Sequence, residues 1–464
     1  MSIVTIIIPV YNKIKYLQSC LDTLINQSVN SFEIICVDDA STDGSTEMLA
    51  SYERNNECIS VIKNEVNIGA ARSRNLGMRQ AKGKYLFFLD ADDFYDKRLL
   101  EECVIAAENA SAEIVVFNFA EVAYSQQSVC HVIDPFWIAK AQKQNNDILP
   151  KELYPWFFIT SSPATWNKMY LRSYIEKIGA EFQDISSSND VFFSNYTLLM
   201  ADRITCVKET GPLLFYRSDV ENQIIQRIDK DPLAVFKALD ETYRIIKEIP
   251  KIRNFNISFI DRAPLNLYHA LSKLNTEKGV STFKEYALSS NGIKKYGLYN
   301  LSRDDFLGAS GYRSYLKLVE ELGLDKEFDN SIHTSDKCDA YDERFFSELA
   351  RMEARCALWG YGKMGKDFYR LAQKYNFPIQ GILDGSDKFR NSDVDGIMVK
   401  RFDEFDWDSI DALIVMIKDR HTFFREACEE IWKYKPDCIV IDAILWDELR
   451  LPMKYCVVHG VSDV

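Results

Sequence analysis

The sequence predicts an α/β fold with a largely parallel sheet, and three observations carry that prediction. Strand-like apolar runs alternate with helix-patterned stretches through the first part of the chain; the helices are amphipathic; and a second alternation begins near residue 354. The first strands fall at 4–8, 33–37, 59–62, 85–89 and 114–119. Between the first two, Leu17, Cys20, Leu21, Leu24 and Ile25 recur at spacings of three and four, which places them on one helix face against a sheet. From 229 to 330 the strand signal fades and helix-compatible stretches such as 233–249 and 312–322 take over. Residues 330–342 turn polar, with Ser331, Thr334, Ser335, Asp336 and Lys337, in the manner of a linker. The second unit has strands at 356–359, 379–383, 412–416 and 438–441. The chain therefore reads as an α/β domain over 1–225, a helical connector over 226–342 and a second α/β domain over 343–464.

Its 464 residues exceed what one hydrophobic core usually organises, in keeping with that division. A net charge of −13 disfavours nonspecific nucleic-acid binding and leaves room for a local basic patch on a diphosphate. The eleven cysteines contain no Cys-x-x-Cys pair, and Cys36, Cys356 and Cys438 lie in apolar runs, so reduced, mostly buried thiols are expected. No run approaches the roughly eighteen apolar residues that span a bilayer. Met1-Ser2-Ile3-Val4 lacks a basic region leading into an apolar stretch, and the expectation is a soluble cytoplasmic protein. Peripheral association with the inner membrane face and self-association through the C-terminal domain are compatible with it.

Ligands in open α/β sheets bind outside the carboxyl ends of the strands, and polar residues cluster there. The first strand leads into Pro9-Val10-Tyr11-Asn12, the second into Asp38-Asp39-Ala40-Ser41-Thr42-Asp43-Gly44, and the fourth into Asp90-Ala91-Asp92-Asp93. The third is followed by Asn67-Ile68-Gly69-Ala70-Ala71-Arg72-Ser73-Arg74-Asn75. Carboxylates spaced as Asp90, Asp92 and Asp93 are repel one another unless a cation neutralises them, and a hard divalent ion with oxygen ligands does so well. Such an ion bridges phosphates and stabilises a departing nucleoside diphosphate. Taken alone, the same acids would serve as caps for a helix near 95–107.

Together these motifs resemble the family 2 glycosyltransferases of the GT-A fold, over residues 3 to about 120. Ile6-Ile7-Ile8-Pro9-Val10-Tyr11-Asn12, Val37-Asp38-Asp39 with Ser41-Thr42-Asp43-Gly44-Ser45, Asn67-Ile68-Gly69 with Arg74-Asn75-x-Gly77, and Phe88-Leu89-Asp90-Ala91-Asp92-Asp93 carry the likeness, in order and at proper spacing. The resemblance implies that Pro9, Tyr11 and Asp39 surround the nucleotide base, commonly uracil, and that Asn12 binds the nucleotide. It implies that Asp90 faces the nucleotide and that Asp92 and Asp93 hold Mn²⁺ or Mg²⁺. Downstream, Trp166-Asn167-Lys168-Met169-Tyr170 resembles the family segment that leads to an acidic pair opening a helix. Here that pair is Asn189-Asp190, and the resemblance makes Asp190 the general base. Asn189 departs from the usual glutamate, which removes a negative charge beside the base. The plainer account is that Ser188 and Asn189 cap a helix over 191–199. Leu214-Phe215-Tyr216-Arg217 resembles the Tyr-Arg end of the catalytic domain, where Arg217 would face the diphosphate; a surface salt bridge is the other account of it. Arg72 is a candidate for ligand contact and Arg74 for structure.

In the second domain, Gly360-Tyr361-Gly362-Lys363-Met364-Gly365 follows a strand and opens a helix, and Asp384 ends the next strand. Gly360, Gly362, Gly365 and Asp384 could hold a diphosphate and a ribose. The domain also resembles the small Rossmann-like domains of bacterial polysaccharide-synthesis proteins, which serve as scaffolds as well. His421 reads as a surface residue.

The function expected is inverting transfer of a sugar from a nucleotide-diphosphate sugar, UDP-linked, to a hydroxyl of a glycan or lipid-linked glycan in bacterial surface polysaccharide synthesis. A catalytically degenerate nucleotide-sugar-binding scaffold is the alternative, with Asn189 as its sequence support. A dehydrogenase or epimerase in the C-terminal domain would need a Tyr-x-x-x-Lys motif, which residues 343–464 lack. Phe136, Trp137, Trp156, Phe157 and Phe158 are candidates for stacking on acceptor sugars or leaning on a membrane, against the commoner fate of core packing.

Overall fold

The first strand is apolar at nearly every position because both of its faces are covered. In β1 (Val4–Val10), Val4, Ile6, Ile7, Ile8 and Val10 have no solvent exposure. The chain then runs through α1 (Ile14–Ile25), β2 (Phe32–Asp38), α2 (Ser45–Asn55), β3 (Ile59–Lys63), α3 (Ala70–Gln80) and β4 (Tyr85–Phe88). After β4 come β5 (Phe94–Tyr95), α4 (Leu99–Ala110), β6 (Ile114–Val116), β7 (Phe119–Ala123) and β8 (Gln126–Val129). They are followed by α5 (Tyr154–Thr160), β9 (Lys168–Leu171), α6 (Arg172–Ile178), α7 (Asn189–Met200), β10 (Ile204–Cys206) and β11 (Leu214–Arg217). This computed structural model describes residues 3–123, 126–129, 142, 148–149, 151–207, 211–218, 220, 228–302, 305–306, 309–324, 343–384, 386, 389–416, 428, 431–443 and 456–459. Phe136, Trp137, His421 and the linker expected at 330–342 lie outside the described residues.

The main sheet has the order β10-β6-β9-β4-β1-β2-β3. It is parallel except at β9, which lies antiparallel between β4 and β6. A second sheet, β5-β11-β7-β8, flanks the end of β4. The strand expected over 114–119 is split between them: Ile114–Val116 stays in the main sheet, while Phe119–Ala123 joins the small one. Phe117 N binds Asn167 O at 3.2 Å and Leu213 N binds Asn118 O at 2.9 Å, so the two sheets hold adjacent residues of one run. The helix expected near 95–107 starts later, at Leu99, because Phe94 and Tyr95 pair with β11.

Pro9 is tolerated inside the central strand for a geometric reason. The carbonyl of Ile7 accepts from Leu89 on the β4 side and that of Val10 accepts from Asp39 on the β2 side. Alternation turns Pro9 toward β4, whose pairing with β1 ends at Ile7–Phe88, so its missing N–H breaks no interior ladder.

The stretch with no strand signal forms α8 (Ala234–Glu248), α9 (Asn256–Ser272), α10 (Glu277–Leu288) and α11 (Ala309–Glu321). These helices do not stand apart. The first compact unit takes in Met1–Asp134, Ala141–Leu301 and Arg313–Leu324, so α8, α9 and α10 lie within it. Asn195 of α7 donates to Thr242 of α8 at 3.4 Å, and the buried Arg262 of α9 holds the carbonyls of Phe158, Ile159 and Ser161 at 2.9, 3.3 and 2.7 Å. Phe157 and Phe158 are core residues, as is usual for aromatic side chains.

The second unit, built on Asp325–Val464, contains α12 (Glu343–Ala350), β12 (Cys356–Trp359), α13 (Lys363–Lys374), β13 (Ile379–Leu383), β14 (Asp393–Val394), β15 (Ile397–Lys400), β16 (Ala412–Val415), β17 (Ile439–Asp442) and β18 (Val457–His459). Its strand order is β14-β15-β13-β12-β16-β17-β18, parallel through the centre and antiparallel at both edges. Every described cysteine is a free thiol, and seven of the nine are buried. Among the described residues, no helix is long and apolar enough to cross a membrane.

Gly77 lets α3 pack close against β1 at the centre of the sheet. A Cβ there would stand 2.6 Å from Ile7 Cγ2, in a fully buried part of β1. Gly77→Ala is expected to destabilise the first unit by about 1–3 kcal/mol through overpacking, read as a lower urea midpoint at unchanged m-value. An unchanged midpoint would refute this packing account.

Candidate active site

Parallel pairing of β1 with β2 and β4 brings Tyr11, Asp39 and Asp90 to one edge of the main sheet. The turn after β1 is fixed by polar groups from the turn after β2. Asn12 takes a left-handed conformation (φ 53°), which asparagine tolerates, and its Oδ1 accepts from Thr42 N at 2.8 Å while its N–H reaches Ser41 Oγ at 3.1 Å. Lys13 N and Ile14 N, which open α1, donate to Ser45 Oγ at 3.0 Å and Asp43 Oδ2 at 3.0 Å. The buried Asp39 carboxylate accepts from Ile68 N and Gly69 N, both at 2.8 Å, and from Asn64 Nδ2 at 3.0 Å. Asp39 thus anchors the loop leading into α3.

Asp90, Asp92 and Asp93 bring carboxylate oxygens within 4.8 Å of one another. Each is balanced from a different direction. Arg74 Nη2 reaches Asp90 Oδ1 at 2.8 Å, Lys13 Nζ reaches Asp92 Oδ2 at 2.6 Å, and Arg217 N donates to Asp93 Oδ1 at 2.9 Å. Tyr95 Oη donates to the carbonyl of Asp90 at 2.9 Å, which pins the turn itself. Burial pushes the Asp93 carboxyl well above the ordinary carboxylate range, and the charges of Asp92 and Asp90 push the same way. Burial also raises Asp90; Arg74 pulls it back and Asp92 raises it further.

Asp93 Oδ2 is buried with no hydrogen-bond partner. An orphaned oxygen beside two further carboxylates is a donor set that suits a hard divalent cation, so these residues fit the metal that the fold implies.

Asp190 sits in the first turn of α7, partly exposed. Burial raises its carboxyl, the Arg74 charge lowers it and Asp90 raises it again; Lys168 contributes a smaller lowering. Ser188 takes a left-handed conformation and makes no side-chain capping bond, while Asn189 Oδ1 accepts from Arg74 Nη1 at 2.9 Å. Lys168 lies behind this region, fully buried, its ammonium on Ser162 O and Ala164 O at 2.7 Å and Asn167 Oδ1 at 2.9 Å. Burial brings its pKa down to about 7, with Arg262 acting in the same direction.

The remaining candidates have distinct surroundings. Arg72 is exposed and paired with Asp184. Arg217 is buried: its guanidinium binds the Asp92 carbonyl and Ser19 Oγ and lies 4.8 Å from the Phe94 ring centroid, so it braces the acidic turn. Lys13 and Asn189 as hydrogen-bonding partners of this site were missed in the sequence. The only signals were a cation directly after Tyr11-Asn12 and a departure from the acidic pair at 189.

In the second unit, Gly360 has a φ of 97° that favours glycine, and a Cβ on Gly365 would stand 1.8 Å from Gly360 O. The glycine turn therefore needs both residues, while Gly362 faces open space. Asp384 already accepts from Tyr361 N at 2.6 Å and Ser386 N at 2.8 Å, one bond to each oxygen.

The model of glycosyl transferase family 2 matches residues 5–179. The chain is 30% identical over 244 residues to EpsH of Bacillus subtilis, a glycosyltransferase by name, covering 52% of this chain and 67% of that one. It is 42% identical over 100 residues to the poly(ribitol-phosphate) beta-glucosyltransferase of Bacillus spizizenii, covering 21% of this chain and only 16% of that relative. Among solved structures, S. aureus TarS 1–349 in complex with UDP-GlcNAc aligns at a TM-score of 0.47 and 14% identity, covering 70% of this chain and 91% of that chain.

The carboxylate crowd predicts metal-linked stability. Mn²⁺ or Mg²⁺ at a hundredfold excess over its Kd should stabilise the full chain by about 2.7 kcal/mol, seen as a rise in melting temperature. Asp93→Asn keeps an oxygen for Arg217 N and should lose most of that rise. Equal rises in wild type and variant would remove the triad as the metal site.

Proposed function

Because the chain belongs to glycosyl transferase family 2, we propose that its GT-A domain transfers a sugar, with inversion, from a UDP-linked donor to a hydroxyl of a glycan or lipid-linked glycan in bacterial surface polysaccharide synthesis. The observation that carries this proposal is the joining of two carboxylate sets through one arginine: Arg74 binds Asp90 of the acidic triad and Asn189, the neighbour of Asp190.

In this mechanism Pro9, Tyr11, Asn12 and Asp39 form the base pocket at the ends of β1 and β2. Asp92 and Asp93, with Asp90 beside them, would hold Mn²⁺ or Mg²⁺, which when bound would supply positive charge against the departing diphosphate. Arg217 supports that end of the site by bracing the Asp92 carbonyl. Asp190 accepts the proton of the acceptor hydroxyl as its oxygen bonds to the anomeric carbon and the carbon–phosphate oxygen bond breaks. A carboxyl raised by burial is a stronger base than a free one, and the charge of Arg74 opposes that rise. Arg72, exposed and paired with Asp184, is proposed to exchange that partner for the donor. The scaffold alternative rested on Asn189; the proposed base is its neighbour Asp190, and Asn189 has its own bond to Arg74. A nucleotide in the second unit would be held by the glycine turn, with Asp384 beside it already accepting one hydrogen bond on each oxygen.

Isothermal titration with UDP, UDP-glucose and UDP-N-acetylglucosamine, with and without Mn²⁺, tests the donor assignment. Metal-dependent binding that Asp92→Ala abolishes supports it; no uridine-nucleotide binding by wild type overturns it. Asp190→Asn should lower kcat by about 10²–10⁴-fold. The base must be ionised and its pKa is raised, so the rate should fall with acidification at a pH above the ~3.9 of a free aspartate. An acid limb at or below that value would exclude Asp190.

A further inference from the structure

Arg74 is 5% exposed and joins groups that lie 16 and 115 residues away in sequence. We propose that Arg74 and Asn189 form a positioning bridge, which sets the separation between the metal-binding turn and the base helix. This inference rests on the transferase reading above and assigns to Asn189 a purpose that its departure from the family's acidic pair leaves unexplained.

The geometry is that of a fork with one partner on each tine. Nη2 reaches Asp90 Oδ1 at 2.8 Å and Nη1 reaches Asn189 Oδ1 at 2.9 Å, which a planar guanidinium spans and a single ammonium does not. The Phe182 ring lies 5.4 Å from the guanidinium carbon. Asn75, the next residue, exchanges two 2.9 Å hydrogen bonds with the backbone of Phe182, so residues 74 and 75 together hold the loop that leads into α7. Phe182 stacks on Phe193 at 4.1 Å, and Phe193 meets Phe88 edge-on at 5.3 Å. Phe88 stands two residues before Asp90, and Phe193 three after Asp190. The apolar contact and the polar bridge therefore clamp the same two elements side by side.

Charge explains why residue 189 is neutral. Asp90, Asp92, Asp93 and Asp190 already crowd this region, against the cations Arg74, Lys13 and Arg217. A glutamate at 189 would compete with Asp90 for Arg74 and add a fifth carboxylate to a buried site. The asparagine carbonyl accepts the hydrogen bond and leaves the full charge of Arg74 to Asp90 and Asp190.

The test is a double-mutant cycle on the full chain. UDP release from UDP-glucose and UDP-N-acetylglucosamine is followed with Mn²⁺ and water as acceptor, for wild type, Arg74→Lys, Asn189→Ala and the pair. Each single change should lower kcat at least tenfold with the donor KM within threefold, and the double variant should be no worse than the poorer single. Multiplying effects, or KM changes that match the loss, would overturn the bridge. Should Arg74→Lys fail to fold, Asn189→Ala decides alone, and an unchanged kcat there overturns it. A folded wild type that releases no UDP from either donor overturns the transferase reading, and the bridge falls with it.

Discussion

Repulsion among Asp90, Asp92 and Asp93 is the constraint around which the first unit is arranged. Two charges about 4 Å apart near a protein surface repel by about 4 kcal/mol, several times the net worth of one hydrogen bond. Such a cluster persists only with compensation, and here it comes from three separate elements. Arg74 stands on α3, Lys13 in the turn between β1 and α1, and Arg217 at the end of β11. Bringing those three to one point requires the main sheet, the small sheet and a helix to meet at the end of β4. Even so, one oxygen of Asp93 stays buried without a partner. The polypeptide itself does not satisfy that oxygen.

The rest of the site follows from the parallel sheet. β1 and β2 end together, so their turns interlock through Asn12, Ser41, Thr42, Asp43 and Ser45 and fix the rim where a nucleotide base would lie. The base side is held differently. Lys168 and Arg262, both buried, bind backbone carbonyls of residues 158–164, while α8 packs against α7 and α9 against α5. Those helices belong to the structural support of the proposed base, although the sequence marks them only as a connector.

The second unit shows how a motif can be present while one of its chemical groups is engaged. Gly360 is required by its positive φ, and Gly365 by the closeness of Gly360 O to where its Cβ would stand. The acidic residue at the expected place uses its two oxygens on Tyr361 N and Ser386 N. A glycine pattern reports backbone geometry faithfully, because sterics are local. It does not report whether a carboxylate at the next strand end is free.

By itself the sequence determined the α/β class and the parallel centre of both sheets, and it marked the strand ends and the acids Asp90, Asp92, Asp93 and Asp190 as candidates for the chemistry. These depend on hydrophobic period and motif spacing, which operate over a few residues and are written directly in the chain. The tertiary structure alone decided that β9 enters antiparallel, that residues 114–119 divide between two sheets, that Lys13 takes Asp92, that Arg217 braces the acidic turn and that Asn189 belongs to Arg74. In those cases the partners are separated by 79, 125 and 115 residues. No local pattern encodes such pairings, because they are chosen by burial and charge only after the strands have brought the ends together.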